Sequence, residues 1–266
     1  MRFASLGSGS EGNALLIESV DGARTARVLL DCGFGRREAE RRLRAAGCEP
    51  GELDAILVTH EHADHIGGVF RLARAHGVPV HLTHGTLQAV AASLATVADV
   101  GSLLRVFDSH ASFECAGLRI EPVPVPHDAR EPVQYVVDDG RSRLGVLTDL
   151  GQGTAHVVRA LSRLDALVLE CNHDAQMLAD NLRYPAALKR RIAGPWGHLD
   201  NQEAARILSV IDRSRLRTVV AAHLSRHNNR PELARAALAS VLPSDAGEMI
   251  RIADQETGVG WIPVRA

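Results

Sequence analysis

The stretch His60-Glu61-His62-Ala63-Asp64-His65 carries three imidazoles and two carboxylates in six consecutive residues. The residues before it, Ala55-Ile56-Leu57-Val58-Thr59, are apolar and partly β-branched and read as a buried strand. Those after it, Ile66 to Arg74, carry apolar side chains at helical spacing. The cluster therefore falls on a turn between the C-terminal end of a strand and a helix, where open α/β folds collect their ligands. His60 and His62 are two apart, so on extended backbone they point the same way, whereas on a helix they would diverge. Asp64 and His65 are neighbours whose side chains diverge and can serve a second centre. Six residues thus offer two ligands to each of two metals, and imidazole with carboxylate suits zinc, manganese or iron.

Around this stretch the chain has 266 residues, is 45% hydrophobic, and carries a net charge of −2 with 13 histidines. That length is read as a single domain over residues 1–266, whose core Ala, Val and Leu must fill because aromatic residues are only 3%. A near-neutral charge speaks neither for nor against a nucleic-acid partner, which a strongly basic balance would have favoured. The cysteines Cys32, Cys48, Cys115 and Cys171 have no Cys-x-x-Cys spacing, and no secretory leader or membrane-spanning apolar run is visible. The expectation is a cytoplasmic protein with free thiols and no membrane partner.

Strands are expected over 2–6, 14–18, 26–30, 78–82, 133–137, 144–147, 166–169, 218–222, 249–253 and 258–263, with several short ones between 103 and 125. Helices are expected over 36–46, 85–94, 155–164, 200–211 and 232–241, and over 174–192 with a break near Pro185. The arginines of 36–46 alternate with Glu38 and Glu40 and read as a solvated face rather than a phosphate patch. The loop Gly7 to Asn13 is either a plain turn or a cradle whose small residues let backbone N–H groups approach an anion. Residues that ligate metals recur at strand ends: His127 after Pro122-Val123-Pro124-Val125-Pro126, Asp149 after 144–147, and His223 after 218–222. Periodicity alone supports mixed α/β and no more.

His60-x-His62-x-Asp64-His65 is the signature of the metallo-β-lactamase superfamily of dinuclear metal hydrolases, and the chain resembles its YycJ/WalJ-like branch, described as exonucleases. The matching pieces are Gly7-Ser8-Gly9-Ser10-x-Gly12-Asn13, Leu30-Asp31-Cys32-Gly33, the signature, His127-Asp128-Ala129, Thr148-Asp149-Leu150-Gly151, Glu170-Cys171-Asn172-His173-Asp174, Gly197-His198-Leu199 and Ala222-His223-Leu224-Ser225. The resemblance implies a four-layer α/β/β/α sandwich. It implies one divalent ion held by His60, His62 and His127, a second by Asp64, His65 and His223, and Asp149 bridging the two. Zinc is favoured, with manganese or iron as alternatives. Asp31 is expected to support the metal loop by accepting a histidine N–H. Ser8, Ser10 and Asn13 are expected beside the metals, and Asn172 and His173 in the pocket or behind the ligands. His173 is the substitute if one ligand is misassigned. His198 is the candidate acid or oxyanion stabiliser, completing a catalytic set with Asp64 and Asp149. Asp200 departs from the branch, which tends to have Ser there, and adds negative charge near an incoming phosphate.

The implied chemistry is attack on a phosphodiester by a hydroxide shared between two cations. The leading expectation is a nuclease, 5′-exonuclease-like on DNA. A small cyclic phosphodiesterase, or a thioester or lactone hydrolase, would use the same centre. A flavin-linked di-iron oxidoreductase is disfavoured, because in that group a carboxylate replaces the second histidine, here His62. No clustered aromatic platform for stacking bases is visible in the sequence. The oligomeric state is left open.

Overall fold

In the computed structural model, which describes residues 1–94, 97, 99–244 and 246–265, the strands form two seven-stranded sheets. The first holds β1 (Arg2–Gly7), β2 (Ala14–Asp21), β3 (Arg24–Leu30), β4 (Ala55–Leu57), β5 (Val80–Thr83) and β6 (Leu104–Phe107) side by side in chain order. The second holds β7 (Phe113–Cys115), β8 (Leu118–Pro124), β9 (Val133–Asp138), β10 (Arg143–Leu147), β11 (Ala166–Glu170), β12 (Thr218–Ala222) and β13 (Ile250–Ile252). The last strand, β14 (Val259–Pro263), returns to the first sheet, antiparallel to β1. Each sheet is antiparallel in its first part and parallel from β3 or β10 onward. Parallel neighbours need crossovers, and α1 (Arg36–Ala45), α2 (Ala63–Ile66), α3 (Val69–His76) and α4 (His84–Leu94) lie in those of the first sheet. The helices α5 (Ala155–Ala160), α6 (Ala175–Asp180), α7 (Ala186–Ile192), α8 (Asn201–Val210) and α9 (Pro231–Ala239) belong to the second.

The central strands are apolar on both faces because both faces are covered. On β2, Leu15 and Ile17 point into the layer between the sheets, while Ala14 and Leu16 meet the first set of helices. On β11, Ala166 and Val168 face inward and Leu167 and Leu169 face the second set. Phe3, Leu57, Ile120, Tyr135 and Val220 fill the middle. Leu43 of α1 and Leu72 of α3 cover one side; Ile207 and Leu208 of α8 and Leu238 of α9 cover the other. Each fully buried leucine stabilises the fold by about 1.5–3 kcal/mol. The result is the expected α/β/β/α sandwich. No helix among the described residues is long and apolar enough to cross a membrane.

The expected helix over 66–74 is two pieces, and the first begins inside the six-residue stretch. Gly67-Gly68 separates α2 from α3 because the backbone of residues 31–35 presses against it. Gly68 N–H donates to Cys32 O at 2.7 Å, and a Cβ on Gly68 would lie 1.8 Å from Phe34 O. Segment 174–192 likewise forms two short helices with 181–185 between them.

Candidate metal centre

The ends of β4, β10, β11 and β12, with the loop after β8, converge on one cleft. Beyond β4 the chain bends at Glu61 and is extended again at His62 (φ −64°, ψ 144°), and His60 and His62 project together, their ring centroids 4.6 Å apart. His127 joins them, with centroids 4.9 Å from His60 and 5.0 Å from His62. Asp64 and His65 lie in α2, and the His65 ring stands 4.4 Å from that of His60. His223 meets them, its Nε2 lying 3.5 Å from Asp64 Oδ2 and its ring centroid 5.6 Å from that of His65. In each triad, His60-His62-His127 and Asp64-His65-His223, the ligand atoms lie within 4.8 Å of one another. Asp149 groups with His60 and His65, one from each triad; its Oδ2 is 2.9 Å from His65 Nε2 and its Oδ1 4.0 Å from His127 Nε2.

Three of the converging residues follow strand ends in left-handed backbone: Asp31 (φ 60°), Asp149 (φ 55°) and His223 (φ 57°). For a non-glycine residue this costs on the order of 1–3 kcal/mol and persists only where the surroundings fix it. Here it turns each side chain from the strand direction into the cleft.

The hydrogen bonds settle the tautomers. His65 Nδ1–H donates to Asp31 Oδ2 at 2.7 Å. The Thr59 hydroxyl donates its one proton to Asp31 Oδ2 at 2.8 Å, so it accepts from His60 Nδ1–H at 2.9 Å. His127 Nδ1–H donates to Gly197 O at 3.0 Å, and His223 Nδ1–H to Glu170 Oε1 at 2.9 Å. Each of these four rings therefore turns Nε2 to the cleft. His60 Nε2, His223 Nε2 and Asp149 Oδ2 are buried there with no hydrogen-bond partner, and His65 Nε2 lies 2.9 Å from Asp149 Oδ2. Buried acceptors left this way are costly. A cation between them satisfies all at once, so these residues fit divalent ions.

Electrostatics agree. Asp31, Asp149 and Glu170 are buried, and among the described residues their ion-pair contacts are to histidines alone. Burial works against the charge on Asp149, but His223 and His65 hold its pKa well below the usual carboxylate range. Burial likewise opposes Glu170, yet His198 and His223 bring it down to about 2. Burial pushes the His60 pKa well down. It also opposes a charge on His223, but Asp149, Asp64 and Glu170 prevail and raise that pKa to about 10. Metal binding displaces such protons.

The comparisons with known proteins point the same way. Residues 26–257 match the Beta-lactamase superfamily domain. Over 259 residues, 96% of either chain, it is 31% identical to the exodeoxyribonuclease YycJ of Bacillus anthracis. The chain belongs to the metallo-β-lactamase superfamily, in its YycJ/WalJ-like branch. It is also 31% identical to the exodeoxyribonuclease WalJ of Streptococcus pneumoniae serotype 2 (strain D39), over 88% of this chain and 85% of that one. Among solved structures, zinc-bound PqqB from Methylobacterium extorquens shares the fold with a TM-score of 0.74 at 18% identity, covering 99% of this chain and 100% of that one. The protein is thus a metal-dependent hydrolase.

This superfamily member has a residue at its centre to which sequence reasoning gave no role. Glu170, the last residue of β11, is fully buried. Its Oε1 accepts from both His223 Nδ1–H and His198 Nδ1–H at 2.9 Å. Its Oε2 accepts from Leu199 N–H at 3.0 Å and Leu150 N–H at 3.2 Å. The available signal was an acid ending the apolar run Ala166-Leu167-Val168-Leu169. Asp31 lies where it can hold the metal loop, bonded to His65 and Thr59.

The remaining named residues divide. Ser8 Oγ accepts from His223 N–H at 2.8 Å, and Asn13 Nδ2 lies 3.1 Å from His65 Nε2. The Gly7–Asn13 loop is no anion cradle, since the amides of Gly7, Ser8, Gly9, Gly12 and Asn13 are already paired. Ser10 is exposed and makes no hydrogen bond to the cluster. Asn172 Nδ2 donates to His223 O at 3.1 Å. His173 is buried, with its pKa lowered by burial, and belongs to neither triad. The Asp200 carboxylate caps α8, accepting from the N–H groups of Gln202 and Glu203 at 2.8 Å, so its charge answers the helix dipole. The mouth of the cleft lies at the side chains of His62, Asp64 and His198, 30, 24 and 23% exposed.

Proposed function

We propose that this hydrolase is a nuclease that shortens DNA from its ends, from the 5′ end first, with two divalent ions, zinc before manganese or iron. One ion is assigned to His60, His62 and His127, the other to Asp64, His65 and His223, with Asp149 shared. The observation that carries the reading is the likeness, at 31% identity and nearly full length, to two proteins named exodeoxyribonucleases. Bound ions of this kind lower the pKa of water and draw charge from a phosphoryl oxygen.

The chain's own residues do the rest. Asp31 and Glu170 hold the imidazoles in the tautomer that offers Nε2. Asp149 ties the two triads, and Asp64 stands at the mouth where substrate enters. His198, fixed through Nδ1 by Glu170 and partly exposed, is placed to hand a proton from Nε2 to the departing oxygen. The four free, buried cysteines suit a reducing cytoplasm.

The test is a parallel assay of end-labelled DNA, a small phosphodiester and a thioester, with zinc or manganese. Progressive shortening of DNA, with a 5′ label released first, is the expected result. Hydrolysis of the small diester or the thioester alone overturns the nuclease reading.

A further inference from the structure

Between β11 and α8 the chain makes an excursion that adds little to the core. Helix α7 has no buried residue, and α6 buries Leu178 alone. The excursion is nevertheless tied to the loops on either side of the metal centre. Arg191 Nε is 2.6 Å from Asp128 Oδ2, next to His127. Asn181 Nδ2 donates to Asn228 Oδ1 at 2.6 Å, and the Tyr184 ring meets His227 at 6.4 Å, both just past His223. It ends in Pro195-Trp196-Gly197-His198, which is held firmly. Gly197 N–H donates to Gly194 O at 2.9 Å and His198 N–H to Ile192 O at 2.8 Å. Gly197 O in turn accepts from His127 Nδ1.

In the middle of this fixed loop Trp196 is 60% exposed and has no hydrogen bond or ring contact among the described residues. The chain's other tryptophan is different: Trp261 Nε1 donates to Ala46 O at 2.9 Å, and Arg2 lies 4.1 Å over its ring. The same excursion carries Arg183 and Arg190, exposed and without ion-pair partners among the described residues. An open indole on a loop whose backbone is held, two residues from His198 and on a segment with unpaired cations, matches the way proteins hold single-stranded nucleic acid: bases stack on aromatics while cations follow the backbone.

We propose that Trp196 is the stacking surface for the nucleobase next to the scissile phosphate, and that the excursion thereby recognises single-stranded DNA ends. This rests on the nuclease reading. Every base offers a π-face, so the contact favours nucleic acid over base-free diesters without selecting a sequence.

The experiment compares wild type, Trp196→Phe and Trp196→Ala, all metal-loaded, on three substrates: single-stranded DNA, the same strand lacking its terminal base, and a small phosphodiester without a base. Trp196→Ala is expected to raise KM on DNA about tenfold, as loss of one base stack does, with kcat little changed. Trp196→Phe stays within about twofold of wild type, because a smaller aromatic still stacks. Removing the terminal base costs wild type the same factor and Trp196→Ala nothing further, the signature of one shared contact. On the small diester the three proteins act alike. Binding is read separately with phosphorothioate-ended DNA, which resists cleavage: it quenches tryptophan fluorescence in wild type and not in Trp196→Phe, where only Trp261 reports. Equal KM for wild type and Trp196→Ala on DNA overturns the proposal, as does an equal loss on the small diester. So does a dimer that Trp196→Ala dissolves without affecting DNA cleavage. A wild type that cleaves the small diester but not DNA fells the nuclease reading first, and this proposal with it.

Discussion

Asp31 and Glu170 occupy matching places on opposite sheets. Each follows or ends a strand that feeds the cleft, each is buried, and each governs two imidazoles: Asp31 takes His65 directly and His60 through Thr59, Glu170 takes His198 and His223. The two halves differ in how the sequence writes them. On the first sheet both imidazoles sit within the six-residue stretch. On the second they lie 28 and 53 residues from Glu170. That half exists only because β11 and β12 run parallel with Glu170 level with Ala222, immediately before His223. The two imidazoles of the first half form a local motif, although Asp31, 34 residues from His65, reaches them through the parallel register of β3 and β4; in the second half the imidazoles too come from separate segments.

The largest effect should come from breaking the joint between the halves. Asp149→Asn keeps a residue that tolerates left-handed backbone but removes the shared charge. We expect turnover to fall at least about a thousandfold, several kcal/mol of transition-state stabilisation, with metal content reduced by elemental analysis. Next comes His198→Ala, which acts on the second half alone. It should slow turnover on the order of a hundredfold while both metals stay bound; loss of both metals would refute its role as acid.

Asp31→Asn against Glu170→Gln sharpens the comparison itself. Each should weaken metal binding or activity by about 10–100-fold. Glu170→Gln should also slow turnover at saturating metal, because His198 loses its anchor, whereas Asp31→Asn should be rescued by excess metal. Identical responses would erase the distinction between the halves.

The smallest effect lies outside both. Asp139, in the β9–β10 turn, is a carboxylate held by amides rather than imidazoles. Burial works against its charge, but Ser142 N–H, the Met1 amine and Arg141 N–H bring its pKa to about 2 from 3.8. A lowered folded pKa gives stability that is present above the unfolded value and lost as the pH falls through the folded one. Asp139→Asn should therefore be less stable than wild type near neutral pH, and the gap should close as the pH is lowered toward about 2. Urea denaturation across that range measures it.

Most of the framework was legible because strands buried on both faces read as unbroken apolar runs, as 144–147, 166–169 and 218–222 do. The triads were legible because the signature is contiguous, Asp149 and His223 follow such runs, and His127 follows the proline-rich exit of a strand. Glu170 escaped notice because a strand-terminal acid looks the same whether it meets solvent or two imidazoles. The split at Gly67-Gly68 was hidden for a related reason: helical periodicity cannot register another backbone pressing on a glycine. Trp196 was passed over because no clustered aromatic platform could be seen in the sequence, and exposure is a property of the folded chain.

The left-handed backbone at Asp31, Asp149 and His223 has a consequence for engineering and drift. Glycine would sit more comfortably than the native residue at each of these places. Yet glycine at Asp31 would strip the acceptor from Thr59 and His65, and glycine at His223 would take a donor from Glu170, so easing the backbone there leaves buried polar groups unsatisfied.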